Sequence, residues 1–211
     1  MYAYENDLLA RGLRFVAGFD EAGRGPLAGP VVAAGVILNP ADPIDGLNDS
    51  KQLSAKKRSN LEAQIKQRAL AYAVAVLDET VIDRINIYQA SKQAMLQACS
   101  ELSIRPDFLL TDAMPLSEAG IPYLAIVKGD QLSASIAAAS ILAKEARDKI
   151  MRHLHDRYPV YGFDVHKGYP TKHHLEMLAQ HGPCPVHRKT FQPVKQLLSR
   201  QESLFEGGFS T

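Results

Sequence analysis

The chain has 211 residues, 46% hydrophobic and 22% charged, the balance of an ordinary globular protein large enough for one sizeable domain. A formal net charge of +1 excludes a polycation, so any polyanionic partner must be held by local patches. Two cysteines, Cys99 and Cys184, exclude a disulfide framework and fit a reducing, cytoplasmic compartment. No stretch reaches transmembrane length, and Met1 to Asp7 lacks the basic start and apolar core of a secretory signal.

Residues 14–20 form the first predicted strand, which ends on Asp20 and Glu21 and opens the turn Gly23-Arg24-Gly25-Pro26. Residues 27–38 read as a second strand and Tyr72 to Leu77 as a third. Between these two, residues 54–69 carry Leu61 and Ile65 one turn apart and predict a helix. Residues 87–102 predict another, with Ala90, Ala94, Leu96 and Ala98 among its apolar positions. Phe108 to Thr111, ending at Asp112, and Tyr123 to Val127, followed by Lys128-Gly129-Asp130, are short aliphatic runs bounded by Pro106 and Pro122. They read as buried strands. A long helix follows over about 133–157, alanine-rich at its start and capped by Ser133 or Ser135. After Pro159 come loops, a short helix near 171–181, a Pro/Gly/His-rich stretch to Pro193, and a helical run over 194–205. Strands first, then strands alternating with helices, predict an α/β fold with a mixed sheet, carrying the last forty or so residues as a helical appendage.

The carboxylates carry the chemistry. Two adjacent acids at a strand end are costly to hold together unless something positive lies between them, and a divalent cation with oxygen ligands answers that need. Asp112 and Asp130 stand at two further strand ends, where acids distant in sequence can converge. Consecutive strand residues face opposite sides, so Asp20 and Glu21 cannot both reach one ion from a regular strand. The strand is therefore expected to end or bend at Glu21, or to offer that residue's carbonyl. Asp112 is expected to share an ion with the pair, and Asp130 to hold a second from a looser loop.

The glycine turn fits neither a dinucleotide loop nor a P-loop: Gly29 falls one position late, Pro26 intervenes and no Gly-Lys-Ser/Thr follows. It reads either as a ligand-cradling turn, with Arg24 on a phosphate, or as a plain hairpin with Arg24 in solvent. His181, Cys184 and His187 are spaced three apart but lack an obvious fourth zinc ligand, so they read as loop residues, one of which could move protons. Basic residues cluster at Lys51, Lys56, Lys57 and Arg58. More lie at Lys144, Arg147, Arg152 and Arg157 on the long helix, and at Lys167, Lys172, Arg188 and Lys189 beyond it. They are expected to be surface charges available to a polyanion.

Asp20-Glu21-Ala22-Gly23-Arg24-Gly25-Pro26-Leu27-Ala28-Gly29-Pro30-Val31-Val32 resembles the signature opening of the bacterial ribonuclease HII family, the type 2 ribonucleases H. Further matches follow in the family's order: Asp49-Ser50-Lys51-Gln52-Leu53, Thr111-Asp112-Ala113, Lys128-Gly129-Asp130, the run from Ser135 to Ser140 with Lys144, Arg147 and Asp148, and His166-Lys167-Gly168-Tyr169-Pro170-Thr171. Type 3 enzymes carry an additional N-terminal domain and a glutamate as fourth acid. Here little precedes residue 14 and the fourth acid is Asp130, so the resemblance is to type 2.

The resemblance implies a ribonuclease H-like fold: a five-stranded mixed sheet flanked by helices, with a C-terminal helical appendage. The catalytic domain would span 14–200, its appendage about 160–200, with tails at 1–13 and 201–211. It implies an endonuclease that cuts the RNA strand of RNA–DNA hybrids. Such an enzyme nicks 5′ to ribonucleotides, single embedded ones included, and leaves 3′-hydroxyl and 5′-phosphate ends. Asp20, Glu21, Asp112 and Asp130 would hold Mg²⁺ or Mn²⁺, two ions at turnover, one on each side of an in-line displacement. Gly23, Arg24 and Gly25 would line the ribose through backbone groups, Tyr169 would pack beside it, and Lys51 would contact a phosphate. A monomer is expected. The competing readings are another nuclease of the same superfold and a noncatalytic hybrid-binding module. Gln201-Glu202-Ser203-Leu204-Phe205 resembles a bacterial sliding-clamp-binding pentapeptide, with Gln201, Leu204 and Phe205 as anchors; the alternative is that Leu204 and Phe205 dock on the protein's own helices.

Overall fold

The structure, a computed structural model, describes residues 1–199. In chain order these form α1 (Ala3–Ala10), β1 (Val16–Ala22), β2 (Val31–Ile37), α2 (Ala55–Arg68), β3 (Ala71–Leu77), α3 (Glu79–Ile85), α4 (Ile87–Ser100), β4 (Phe108–Asp112), β5 (Tyr123–Ile126), α5 (Ala134–Arg157), α6 (Phe163–His166) and α7 (Lys172–His181), with a further helical run over 194–199. The strands make one mixed sheet in the order β3-β2-β1-β4-β5. β2 runs antiparallel to both its neighbours, β1 and β3; β4 and β5 extend β1 in parallel. This is the expected five-stranded, helix-flanked architecture. No helix among the described residues is long and apolar enough to cross a membrane.

Alternation along the central strands sorts the core into two layers. Ala17, Phe19, Val31 and Ala33 face α4, against Ala90, Ala94, Met95 and Ala98. Val32, Ala34 and Val36 face α2 and α5, against Leu61, Ile65, Ala138 and Ile141. The first two turns of α5 are buried all round and, Ile136 apart, are alanine and serine, which lets the helix sit close on β1. Gly18 is the contact point, since a Cβ there would overlap the backbone carbonyl of Ser135.

Several boundaries differ from the sequence-based expectation. β1 begins at Val16, because the Asp107 carboxylate takes the amides of Arg14 and Phe15 at 2.9 and 3.0 Å. β2 begins at Val31, not residue 27. The Leu27 amide donates to Gly168, the Gly29 amide to Val186, and the Leu27 carbonyl accepts from Arg188, so this stretch bonds to the C-terminal segment and not to a strand. Residues 1–13, expected as a tail, hold α1. Its Glu5 is buried and accepts from the Ser133 hydroxyl at 2.6 Å and from the Ser135 amide at 2.9 Å, at the start of α5. Helix α3 was not expected; Asp78 caps it by accepting from the Thr80 and Val81 amides, both at 3.0 Å.

Residues after Pro159 pack on the β1–β2 connection and the outer half of α5 more than on the sheet itself. Tyr161, Phe163 and Val186 meet Ala28 and Met151, and Leu178 and Val194 meet Leu27. A file of buried imidazoles runs through this layer. His174 Nδ1 donates to the Tyr169 carbonyl at 2.9 Å, so its Nε2 accepts, at 3.0 Å, from His187 Nε2; His187 Nδ1 then accepts from the Cys184 amide at 3.0 Å.

Burial lowers both His174 and His187 to about 4, against an ordinary imidazole value near 6.5. The unfolded chain therefore binds more protons between those values. The stabilisation is complete above the unfolded pKa and is lost as pH falls through the folded one. Stability is expected to drop between pH 7 and 4.5, with a slope of at most about 1.4 kcal/mol per pH unit for each histidine. Urea midpoints across that range, compared with His187→Gln, check this: the variant should show the shallower acid limb.

Candidate active site

The registers of the sheet deliver the acids. In the parallel β1–β4 pair Gly18 lies beside Leu110 and Phe19 beside Thr111, so the next step sets Asp20 beside Asp112. β4 in turn pairs Asp112 with Ile126 of β5, and the chain folds straight into a single helical turn, Gly129–Gln131, that carries Asp130. The Gly129 amide donates to the Asp112 carboxylate at 2.8 Å and ties that turn to the end of β4. One carboxylate oxygen from each of Asp20, Asp112 and Asp130 lies within 4.8 Å of the others.

These carboxylates cannot all be charged at ease. Burial, followed by the neighbouring Glu21 and Asp112 charges, raises Asp20 well above the carboxylate range. Burial, then Asp49 and Asp112, raises Asp130 to about 6. Burial also raises Glu21, against the pull of Arg24. A divalent cation would neutralise the group, and the donor set fits one: hard oxygens only, with the buried Glu21 Oε2 lacking any hydrogen-bond partner.

Glu21 itself departs from expectation. β1 does not end there; it runs one residue on to Ala22, with Glu21 paired to Ala33. Its Oε1 accepts from Arg24 at 3.2 Å, and its side chain lines the same cleft as Asp20 while staying outside the Asp20–Asp112–Asp130 group. Asp130 is likewise not on a loose loop: it is 5% exposed in its helical turn.

The other expected residues gather around the same cleft of about 650 Å³. Glu21, Gly23, Arg24, Gly25, Lys51 and Tyr169 line it together with Asp20 and Asp112. The Tyr169 ring packs over Gly25, where an added Cβ would meet its Cε1 at 3.5 Å. Lys51 is opposed by burial, but Asp49, Asp20 and Asp130 outweigh this and raise its pKa.

The expected basic surface is smaller than the sequence suggested. Arg58 is tied to Glu145 at 2.9 Å and to the carbonyls of Ser50 and Leu53 at 3.2 and 2.8 Å, while Arg147 and Arg188 are buried. Sequence reasoning missed Asp49, which is buried and accepts from the Lys51 amide at 2.9 Å, and Ser140, which lines the cleft beside Lys144 of the expected basic set. Both lie inside stretches that carried the family resemblance, which was the available signal. No histidine lines the cleft among the described residues, and the Cys184–His187 pair holds no metal geometry there.

Buried acids at the ends of adjacent strands, in a sheet of this order, define a ribonuclease H-like protein. The comparisons with known proteins narrow that class. The ribonuclease HII family profile matches residues 17–194. A ribonuclease HII of Bacillus anthracis is 53% identical over 200 residues, 95% of this chain and 77% of that protein. Among solved structures, the ribonuclease H2 of Pyrococcus horikoshii OT3 matches with a TM-score of 0.76 at 27% identity, covering 90% of this chain and 99% of that one. The ribonuclease HII of Archaeoglobus fulgidus, solved in a complex with PCNA, matches with a TM-score of 0.73 at 26% identity, covering 85% and 96%. The chain belongs to the ribonuclease HII family.

Charge crowding makes a test independent of activity. Asp130→Asn removes one of three like charges, so the variant should be more stable than the parent in chelator, by about 1 kcal/mol. It should also lose much of the rise in melting temperature that Mn²⁺ gives the parent. Thermal melts with and without the ion read both effects.

Proposed function

We propose that this protein is an endoribonuclease that cuts the RNA strand of RNA–DNA hybrids. In this reading it hydrolyses the phosphodiester 5′ to a ribonucleotide, including a single one embedded in duplex DNA, and leaves 3′-hydroxyl and 5′-phosphate ends. The observation that carries the reading is the meeting of Asp20, Asp112 and Asp130 within 4.8 Å, at one end of a cleft whose other wall is the Gly23–Gly25 turn and Tyr169. Family membership supports the same activity.

Asp20, Asp112 and Asp130 would hold Mg²⁺ or Mn²⁺ directly, and Glu21 would join through its unpartnered carboxylate oxygen or its carbonyl. Two such ions, when bound, supply an acidified water and a stabilised leaving alkoxide. The remaining tasks fall to the chain's own groups. Lys51 offers an ammonium to a substrate phosphate from the rim of the acid cluster. The backbone of Gly23, Arg24 and Gly25 meets the ribose, and the 2′-hydroxyl is the atom that distinguishes RNA from DNA. Tyr169, 41% exposed, supplies a flat wall and a hydroxyl beside that ribose.

The protein acts as a monomer in the cytoplasm in this reading, a location the two free cysteines support. The partner peptide Gln201, Leu204 and Phe205 lies outside the described residues. The complex formed by the Archaeoglobus fulgidus relative supports a docking role for family members.

The deciding experiment is cleavage of a duplex containing one ribonucleotide, with and without Mg²⁺, beside an all-DNA duplex. Asp20→Asn and Asp112→Asn should each lower cleavage by at least about a thousandfold while leaving duplex binding intact. Tyr169→Ala should lower kcat/KM by about tenfold or more on the ribonucleotide duplex alone. Retained cleavage in both aspartate variants would sink the assignment. For the tail, truncation after Ser199 should abolish retention on an immobilised bacterial sliding clamp and leave cleavage of free duplex unchanged; undiminished retention removes the clamp contact.

A further inference from the structure

Arg147 and Arg188 are the largest fully buried side chains among the described residues, and both lie directly behind the glycine turn. Arg188 makes five hydrogen bonds, all to backbone carbonyls: Gly23 at 2.6 Å, Arg24 at 3.0 Å, Gly29 at 3.0 and 2.9 Å, and Pro30 at 3.2 Å. Its guanidinium stacks 5.0 Å from the Phe191 ring centroid. Arg147 donates to Pro30 at 2.9 Å, Lys167 at 3.0 Å and Ala28 at 3.2 Å. It also lies against Gly23, where φ is +101° and a Cβ would overlap the guanidine stem. Taking two cations out of water is expensive, and carbonyl dipoles are the main compensation here. Burial lowers Arg147 to about 10 and Arg188 to about 9, which leaves both charged at neutral pH.

The peptide plane converts this grip into a direction. In a trans peptide the carbonyl of one residue and the amide of the next point opposite ways. Arg188 draws the Gly23 and Arg24 carbonyls inward, so the Arg24 and Gly25 amides point outward. Both residues are exposed and line the cleft on that outward side. Arg147 reaches the Lys167 carbonyl, two residues before Tyr169, and so links the glycine turn to the segment that carries the opposite wall.

We propose that Arg188, braced by Arg147, is a positioning residue for the substrate-reading half of the site: it fixes the Arg24 and Gly25 amides toward the ribose by gripping the carbonyls behind them. This rests on the ribonucleotide-specific reading above. The role belongs to a guanidinium. Lysine keeps the charge but has three donors on one nitrogen, which cannot span carbonyls from four residues in a fixed plane.

The test uses full-length Arg188→Lys and Arg147→Lys. Each is melted by circular dichroism, then assayed for kcat/KM on a duplex with one ribonucleotide and for Kd on an all-DNA duplex of the same sequence. Arg188→Lys is expected to stay folded at the assay temperature and to lose at least about tenfold in kcat/KM, with Arg147→Lys losing less. All-DNA binding should change less than about twofold in both, because that duplex offers no 2′-hydroxyl to read. A purely structural role would not produce that split. Unchanged kcat/KM in Arg188→Lys, equal losses on both duplexes, or unfolding of both variants would overturn the proposal. A wild-type protein that cleaves without regard to the ribonucleotide would defeat the functional reading itself, before any variant is compared.

Discussion

Three carboxylates held within 4.8 Å of one another, two of them buried, form the constraint on which the rest of this molecule depends. At an effective dielectric near 20, each fully charged pair at that spacing repels by about 3–4 kcal/mol. Flexible side chains on loops would simply swing apart. Here they cannot. Asp20 rises from the middle strand of the sheet, Asp112 ends the neighbouring strand, and Asp130 sits in a helical turn tied to Asp112 through the Gly129 amide. The small-residue start of α5 seals the arrangement against β1 at Gly18, and Glu5 of α1 anchors that same helix end. Close packing converts repulsion into affinity: what cannot relax by motion must be relieved by a proton or a cation.

The opposite wall answers the opposite problem. A nucleic acid brings phosphates toward a pocket of carboxylates, so the cleft must offer positive charge without collapsing it onto the acids. Lys51 and Arg24 do this at the rim, where Arg24 is engaged by Glu21 and Lys51 feels three aspartates. Arg147 and Arg188 do it from behind, buried and turned toward carbonyls, so their charge reaches the cleft as field and as shape and is never free to pair with Asp20. Anion-seeking and cation-seeking groups thus share one cleft of about 650 Å³ and remain separate because different elements carry them.

Much of this was legible in the sequence because the acids sit at the ends of short aliphatic runs, and such runs are strands whose ends are where a sheet gathers its chemistry. Phe108 to Asp112 falls where the pattern set it; Tyr123 to Ile126 is a strand too, but at the edge of the sheet with only Ile126 buried, so the expectation of a buried strand fails there. The failures share a cause: the deciding partner lay far away in the chain. Residues 27–30 look like strand, yet their hydrogen bonds go to Gly168, Val186 and Arg188. Arg58, Arg147 and Arg188 look like surface charge, yet distant carbonyls and Glu145 claim them. Helix α1 buries little besides Glu5 and Leu8, so it has almost no apolar stripe to read. Glu21 was caught between two rules, family likeness drawing it to the ion and strand alternation turning it aside; its side chain lines the cleft but lies outside the three-aspartate group.

The C-terminal segment is therefore no appendage in the functional sense. The acid half of the cleft is built from β1, β4 and the turn after β5, all embedded in the sheet and its two apolar layers. The opposite wall is built from the β1–β2 connection, and that connection has no strand partner of its own between Leu27 and Pro30. Its backbone groups are satisfied by Gly168, Val186 and Arg188 from beyond Pro159 and by Arg147 of α5. The His174–His187 file fixes the same segment from within and closes on the Tyr169 carbonyl. Two halves of one site thus rest on foundations of different strength, a central sheet on one side and a set of long-range loop contacts on the other. Loop contacts open at lower free energy than a sheet core. Any loosening of the molecule reaches Tyr169 and the glycine turn first, so the shape of that wall depends on the docking of the segment after Pro159 in a way that the gathering of the acids does not.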